Sequence, residues 1–375
     1  MKIVLFANTE WYLYNFRRSL AFALRDAGHE LLLVSPPGPY GEKLRAMGFR
    51  WLPAPMERRS LNPLSEAQLV AWLRRLFKEE QVDLVHGFTI KCAVYGSLAA
   101  RLLGGVARVN AVAGMGYVFS SGDLKARALR PVVRTLMGMA LGGKRARLVL
   151  QNPDDVALFE RARLVDPAAI RLIPGSGVNC ERFAPSGARG RGGRFRVVLP
   201  ARLLWDKGVA EYVEAARRLR AEGKAIDFLL AGDPDPGNPA AVPEASLRDW
   251  AAEGLVDWLG HVDDMPGLFA SVDAVILPSY REGLPKGLIE AGACGLPLVT
   301  TDVPGCREVV EDGVDGLLVP ARDSVSLANA ISRLADDPSL CDRLGKAVRR
   351  KVLAQFDERI VVARTLAVYQ ELGVC

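Results

Sequence analysis

The chain has 375 residues, of which 50% are apolar, 25% charged and 7% aromatic; this is material for two buried cores of ordinary size, and it excludes a small stapled module or a disordered tail. The net charge of +6 is unevenly placed: residues 1–180 hold 25 basic and 14 acidic side chains, a net of +11, which leaves −5 for the remainder. A basic half points to a polyanion, an anionic membrane or a phosphorylated ligand, or else to an arginine-rich solvated surface.

In chain order, KIVLFAN, a helical stretch through FRRSLAFALRDAG and then HELLLVS make a βαβ opening. MKIVLFANTE meets Asn8 and Glu10 too soon to be a signal peptide and reads as the first strand. VDLVHGF, VARVNAVAG, ARLVLQN and IRLIPG continue the pattern, which predicts a parallel sheet with helices on both faces. SGARGRGGR, with three arginines and four glycines, reads as a linker over 186–194. A second series follows: FRVVLPAR, the helical GVAEYVEAARRLRAEG, IDFLLAG, VDWLGHV, AVILPSY, LPLVTTD and DGLLVP. The expected organisation is therefore α/β, with one doubly wound domain over 1–185 and another over 195–355, facing each other across a cleft. A terminal helix over 356–375 could cross back to the first domain. No apolar stretch approaches the roughly 20 residues that span a bilayer, so any membrane contact is expected to be peripheral.

Ligands of such sheets bind outside the carboxyl ends of the strands. After AVILPSY the chain reads Arg281-Glu282-Gly283-Leu284-Pro285-Lys286-Gly287-Leu288-Ile289-Glu290. Glu282 falls in the loop and Glu290 about a turn into the next helix, a pair suited to a ligand with hydroxyls at both ends, with helix-start amides for a phosphate between them. The plain alternative is a loop cap plus an exposed helical glutamate. FRVVLPAR ends at Arg202, and Lys207 precedes Gly208 at the next helix start, two cations whose charge matches a diphosphate.

Taken together these stretches resemble the retaining glycosyltransferases of family four, which have the GT-B fold of two Rossmann-like domains. The resemblance covers essentially the whole chain and extends to GVNCERF and ACGLPLVTTDVPGCREVVEDGVDGLLV. It implies that Arg202 and Lys207 hold a nucleotide diphosphate, Glu290 the ribose and Glu282 the transferred sugar, with amides of Leu284, Lys286 and Gly287 contacting sugar and phosphate. Pro285 departs from the family, which often has glycine there, and offers no N–H. The resemblance also implies front-face departure and attack, Glu282 positioning without becoming a nucleophile, and no metal. His86, in VDLVHGF, stands where the family often has a histidine reaching the donor sugar; a lone histidine is otherwise a packing or surface residue.

Other signals are weaker. Asp233-Pro234-Asp235 imitates a metal-binding acid pair but lies in the proline-rich turn DPDPGNP. The first βα junction lacks a dinucleotide fingerprint, which argues against an oxidoreductase and for no cofactor beyond the donor substrate. The cysteines, Cys92, Cys180, Cys294, Cys306, Cys341 and Cys375, lack zinc or redox spacing, and three histidines make a metal centre unexpected, so a reduced cytoplasmic compartment is the simplest reading.

Nine basic residues and one acid occupy 101–147. Leu129, Val132, Val133, Leu136, Met137 and Ala140 follow helical spacing, with Arg127, Arg130 and Arg134 opposite, so the segment is either a basic amphipathic helix on anionic lipid or ordinary core contact with a solvated face. Pro131 predicts that the regular helix begins or kinks there. AVAGMGYVF and NTEWYLYNFRRSL resemble the subgroup that extends sugars on undecaprenyl diphosphate, including N-acetylgalactosaminyltransferases. That resemblance implies acceptor contacts at Asn8, Trp11, Tyr14, Gly114, Met115, Gly116 and Tyr117. The expected protein is a bacterial peripheral enzyme of the inner face of the cytoplasmic membrane, moving an N-acetylhexosamine from a uridine diphosphate sugar to a lipid-linked saccharide, with no nucleic-acid partner. The alternatives are a transferase with a soluble or polysaccharide acceptor and a non-catalytic sugar-nucleotide-binding protein.

Overall fold

The computed structural model describes residues 1–57, 60, 62–112, 124–186, 193–235 and 237–374; at 124–130, 132 and 133 only the backbone is described. Two compact units emerge, one of residues 1–177 with 359–375 and the other of 178–358. The boundary thus precedes the glycine-rich stretch at 186–194.

The first unit is built on β1 (Lys2–Phe6), helix α1 (Glu10–Phe16), α2 (Arg18–Asp26), β2 (Glu30–Ser35), α3 (Tyr40–Ala46), β3 (Arg50–Pro53), α4 (Pro63–Glu79), β4 (Leu84–Phe88), α5 (Ile90–Leu103), β5 (Ala107–Ala111), β6 (Ala146–Leu150) and β7 (Ile170–Leu172). Its seven strands are all parallel, in the order β3-β2-β1-β4-β5-β6-β7. Such a sheet is covered on both faces, which is why its strands are near-continuous apolar runs. Ile3 and Leu5 face one cluster with Phe88 and Val109; Val4 and Phe6 face another with Leu73 and Phe77. Strand β3 has no such run: Arg50 opens it and Pro53 closes it, and only an edge strand, paired here with β2 alone, tolerates that proline.

The C-terminal helix, Glu358–Glu371, belongs to the first unit from Arg359 onward and buries Val361, Val368 and Tyr369 against Leu5, Phe88 and Val109. Its end is anchored by Glu371, which accepts from Arg147 Nε at 2.8 Å and, through both oxygens, from Arg171 at 2.6 and 2.8 Å. Arg171 first, then Arg147, holds the Glu371 carboxyl down at about 2. A depressed acid contributes stability that is complete above its ordinary value and is lost as pH falls toward the folded one. Hydrogen-exchange protection of the helix amides is therefore expected to drop between pH 5 and pH 3, and in Glu371→Gln to be low already at pH 7. Equal protection at both pH values in the wild type would refute this anchor.

The helix Leu124–Leu141 continues through Pro131, so the proline does not start it. Met137, Ala140 and Leu141 are fully buried in the core of this unit. At the described positions the apolar stripe is core contact. Arg134 is exposed and donates to the carbonyl of Ala162; the side chains of Arg127 and Arg130, and residues Gly114, Met115, Gly116 and Tyr117 altogether, lie outside the described residues. No helix among the described residues is long and apolar enough to cross a membrane.

The second unit contains β8 (Phe195–Pro200), β9 (Ile226–Ala231), β10 (Asp257–Gly260), β11 (Ala274–Leu277), β12 (Leu298–Thr301) and β13 (Leu317–Val319), again all parallel, in the order β10-β9-β8-β11-β12-β13. Each sheet reverses its direction of growth once, between β1 and β4 in the first unit and between β8 and β11 in the second. Those two switch points are where a doubly wound sheet opens a crevice at its carboxyl edge.

Candidate active site

At the second switch point the chain leaves β8 through Arg202, makes a 3-10 turn at Trp205–Lys207 and enters the helix Val209–Ala221 through Gly208. The neighbouring strand β11 leaves through Pro278, Ser279 and Tyr280. Tyr280 N donates to Asp206 O at 2.9 Å, so the two exit loops are stitched together by backbone. Between them Glu282 Oε1 accepts from Lys207 Nζ at 2.5 Å and from Ser279 Oγ at 2.7 Å. The side chains of Lys207 and Glu282 are 18% and 12% exposed, shielded enough for the charges to act on one another yet still reachable from solvent.

The helix Lys286–Ala293 begins beside this pair. Pro285 stands at its N-cap without a side-chain cap; Leu288 N and Ile289 N already donate to Pro285 O. Gly287 lies in the first turn against the end of β8, where a Cβ would stand 3.2 Å from Pro200 O. First-turn amides at a switch point are a ready anion site. One turn on, Glu290 is mostly buried and pairs with Lys286 at 3.3 Å. Burial pushes the Glu290 carboxyl above the usual carboxylate range, a rise that the Lys286 and Arg182 charges oppose.

Lys207, Ser279 and Glu282 are thus brought into one cluster, and Lys286 and Glu290 share the adjoining helix face. Leu284 packs partly buried on the core of this unit. Arg202 is half-exposed and pairs with Asp235 Oδ2 at 2.9 Å. An ion pair this open is worth roughly 0–1 kcal/mol, so a phosphate can compete for the guanidinium. Three participants escaped the sequence reading. Asp235 sits in the loop read only as a turn, Ser279 is signalled only by its spacing of three from Glu282, and Arg182 lies in GVNCERF, where Asn179 Oδ1 accepts its amide at 2.7 Å.

The structure does not place His86 at an open strand end. It lies mid-strand in β4, paired in register with Leu5, and is 1% exposed. Its Nδ1 is 2.7 Å from Tyr369 Oη on the C-terminal helix, and burial holds the imidazole well below its ordinary pKa. The ring is neutral and enclosed in the core of the first unit, where it packs between Phe88 and Tyr369. Asn8 is half-buried in the loop after β1 and Trp11 is 40% exposed on α1. Tyr14 meets Tyr40 at a tilt of 55°, with Arg18 Cζ 5.1 Å from the Tyr14 ring centroid.

Residues 194–337 match the family model described as glycosyl transferases group 1, and residues 2–152 match the one described as glycosyl transferase 4-like. The chain belongs to the family-four glycosyltransferases. The transferase is 29% identical, over 99% of both chains, to the N,N'-diacetylbacillosaminyl-diphospho-undecaprenol alpha-1,3-N-acetylgalactosaminyltransferase of Campylobacter jejuni. It is 28% identical, over 80% of its own length and 78% of the other's, to the UDP-Gal:alpha-D-GlcNAc-diphosphoundecaprenol alpha-1,3-galactosyltransferase of Escherichia coli. Among solved structures it superposes on Anabaena HepE, crystallised with UDP and glucose, with a TM-score of 0.79 at 21% identity over 98% of this chain and 99% of that one. That likeness establishes the GT-B fold.

The raised Glu290 carboxyl carries a pH consequence for this transferase. The resemblance implies that Glu290 holds the ribose, and the ionised carboxylate accepts hydroxyl hydrogen bonds more strongly than the neutral acid, so donor affinity is expected to fall as pH drops through the raised value, at a higher pH than an exposed glutamate would give. Glu290→Gln should flatten that acid limb and raise donor KM about tenfold, with kcat less affected. An unchanged acid limb in the variant would assign the titration elsewhere.

Proposed function

We propose that this transferase moves an N-acetylhexosamine, N-acetylgalactosamine first, from a uridine diphosphate sugar to an undecaprenyl-diphosphate-linked saccharide. Anomeric configuration is retained and no metal ion takes part. The observation that carries the reading is the Lys207–Glu282–Ser279 cluster beside an amide-lined helix start, in a chain alike over its whole length to an enzyme named for such an acceptor. The E. coli relative, named for another sugar on the same lipid diphosphate, supports the acceptor more than it supports the donor.

In the proposed step the bond from the sugar's anomeric carbon to the diphosphate oxygen breaks, and the acceptor hydroxyl bonds to that carbon on the same face. Its proton goes to the departing phosphate. Arg202, Lys207 and the amides of Lys286 and Gly287 spread the growing phosphate charge, while Glu282 faces the developing positive charge on the sugar. Cationic side chains and helix amides do here what a metal ion does elsewhere. Glu290 holds the ribose.

The basic charge of the first unit supports a peripheral position on the inner face of the cytoplasmic membrane. The test is a panel of nucleotide sugars with a lipid-diphosphate acceptor, read by mass spectrometry, with the anomeric proton coupling of the product by NMR and turnover measured in EDTA. Transfer only to soluble glycans would overturn the acceptor. Hydrolysis without transfer would overturn the enzyme assignment.

A further inference from the structure

The switch point of the first unit holds a buried cation for which the reaction above has no use. Arg17, at the junction of α1 and α2, is 6% exposed. Its Cζ lies 4.3 Å from the Phe88 ring centroid and 5.3 Å from that of Tyr12, and its Nη2 donates to Tyr12 Oη at 2.8 Å. Its Nε is buried with no hydrogen-bond partner, and among the described residues no carboxylate pairs with the guanidinium. A buried charge is normally paired or hydrogen-bonded throughout.

The residue after Phe88 is Thr89, the N-cap of α5. Its backbone, at φ 73 and ψ 157, is one that β-branched residues rarely adopt, and its side chain does not cap the helix. The start of a 14-residue helix therefore follows within two residues of the Phe88 on whose ring Arg17 lies, at the β1/β4 crevice, with its first-turn amides uncapped by Thr89. Lys91, in that first turn, is already paired with Glu66 at 2.7 Å, which among the described residues leaves Arg17 as the cation without a carboxylate there. His86 cannot share the role, because its ring is neutral and Arg17 itself disfavours its protonation.

We infer that Arg17 and the amide-lined start of α5 form an anion subsite that takes the phosphate or diphosphate of the acceptor. This rests on the lipid-diphosphate acceptor proposed above and names the residues that would hold it. The geometry repeats, within the first unit, the combination of helix start and cation that the second unit offers the donor. A guanidinium stacked on an aromatic face keeps its donors in a fixed fork, which suits a phosphate better than a mobile ammonium does.

The test uses the full chain with the UDP-sugar donor saturating in the kinetic measurements and UDP saturating in the anion-binding measurements, so that in both the donor site is filled and added anions cannot occupy it. Arg17→Gln is expected to raise the KM for a prenyl-diphosphate-linked sugar about tenfold or more, with UDP affinity by calorimetry and the melting temperature unchanged. Inorganic pyrophosphate should compete with the acceptor in the wild type and lose this competition in the variant. Arg17→Lys, which keeps the charge and loses the fork, should give an intermediate KM and decides the matter if the glutamine variant does not fold. Unchanged acceptor KM and unchanged pyrophosphate inhibition in a folded variant would overturn the subsite. If the wild type uses no lipid-linked acceptor, the proposed function fails instead; pyrophosphate binding that depends on Arg17 then still supports the subsite, and its absence removes both. Equal use of a phosphate-bearing soluble acceptor keeps the subsite and reassigns its ligand from lipid to free phosphate.

Discussion

Glu282→Gln is expected to lower turnover by about 10²-fold or more, with UDP affinity within about threefold of wild type and the fold intact. One carboxylate oxygen accepts from both Lys207 Nζ and Ser279 Oγ. A glutamine can keep its carbonyl oxygen toward both of them, but it puts two donors where the other carboxylate oxygen stood and removes the negative charge. The lost charge matters most where positive charge develops on the sugar, so the effect falls on kcat rather than on nucleotide binding. Lys207→Met should behave differently. It removes the charge that holds Glu282 in place, the same charge that in the proposed reaction faces the diphosphate, so UDP affinity should fall together with turnover. Calorimetry with UDP beside steady-state kinetics separates the two, and full activity in Glu282→Gln would sink the active-site assignment.

Gly208→Ala is expected to destabilise the protein by about 2–4 kcal/mol and to abolish most donor binding even in the molecules that fold. Gly208 has φ 72, and a Cβ built there would stand 2.1 Å from Pro278 O and 2.7 Å from Pro278 C. Backbone atoms cannot yield as a side-chain end can. The β11 exit loop would have to move, and with it Ser279 and Glu282 would draw away from Lys207. Gly223 is the control: its φ is 73, but nothing lies within 4 Å of a Cβ there. Gly223→Ala therefore pays only for the left-handed backbone, about 1–2 kcal/mol, with no change in UDP affinity. Thermal melts and UDP titrations of the two variants read the steric term directly. Equal losses would mean that Gly208 matters for its backbone angle and not for packing the loops together.

Much of the fold is written locally. Twelve strand-length apolar runs were legible because a parallel sheet covered on both faces needs continuous apolar strands, and β3 was not, because an edge strand carrying Arg50 and Pro53 has no such run. Trp51 at its centre is nevertheless buried, with Nε1 donating to Ser35 Oγ at 2.9 Å. Helices α1 and α3, seven residues each, were also invisible, being too short to establish a helical period. The basic helical segment 124–141 has two readings on pattern alone, since an apolar stripe looks the same whether it meets a core or a lipid; at its described positions Met137 and Ala140 are buried in the core.

The sequence by itself determined the chemistry available: glutamates eight positions apart across a strand-to-helix junction, a cation after β8 and another before the following helix, and the family to which that pattern belongs. Only the tertiary structure decided which of these groups meet. It joined Lys207 to Glu282 across 75 positions, gave Arg202 to Asp235, sank His86 into the core against a helix 283 positions away, and left Arg17 buried with no carboxylate partner among the described residues. Periodicity encodes which way a side chain faces within its own strand or helix. Pairings between elements follow from strand order and from how exit loops close at a switch point, and neither is a property of any local stretch of sequence.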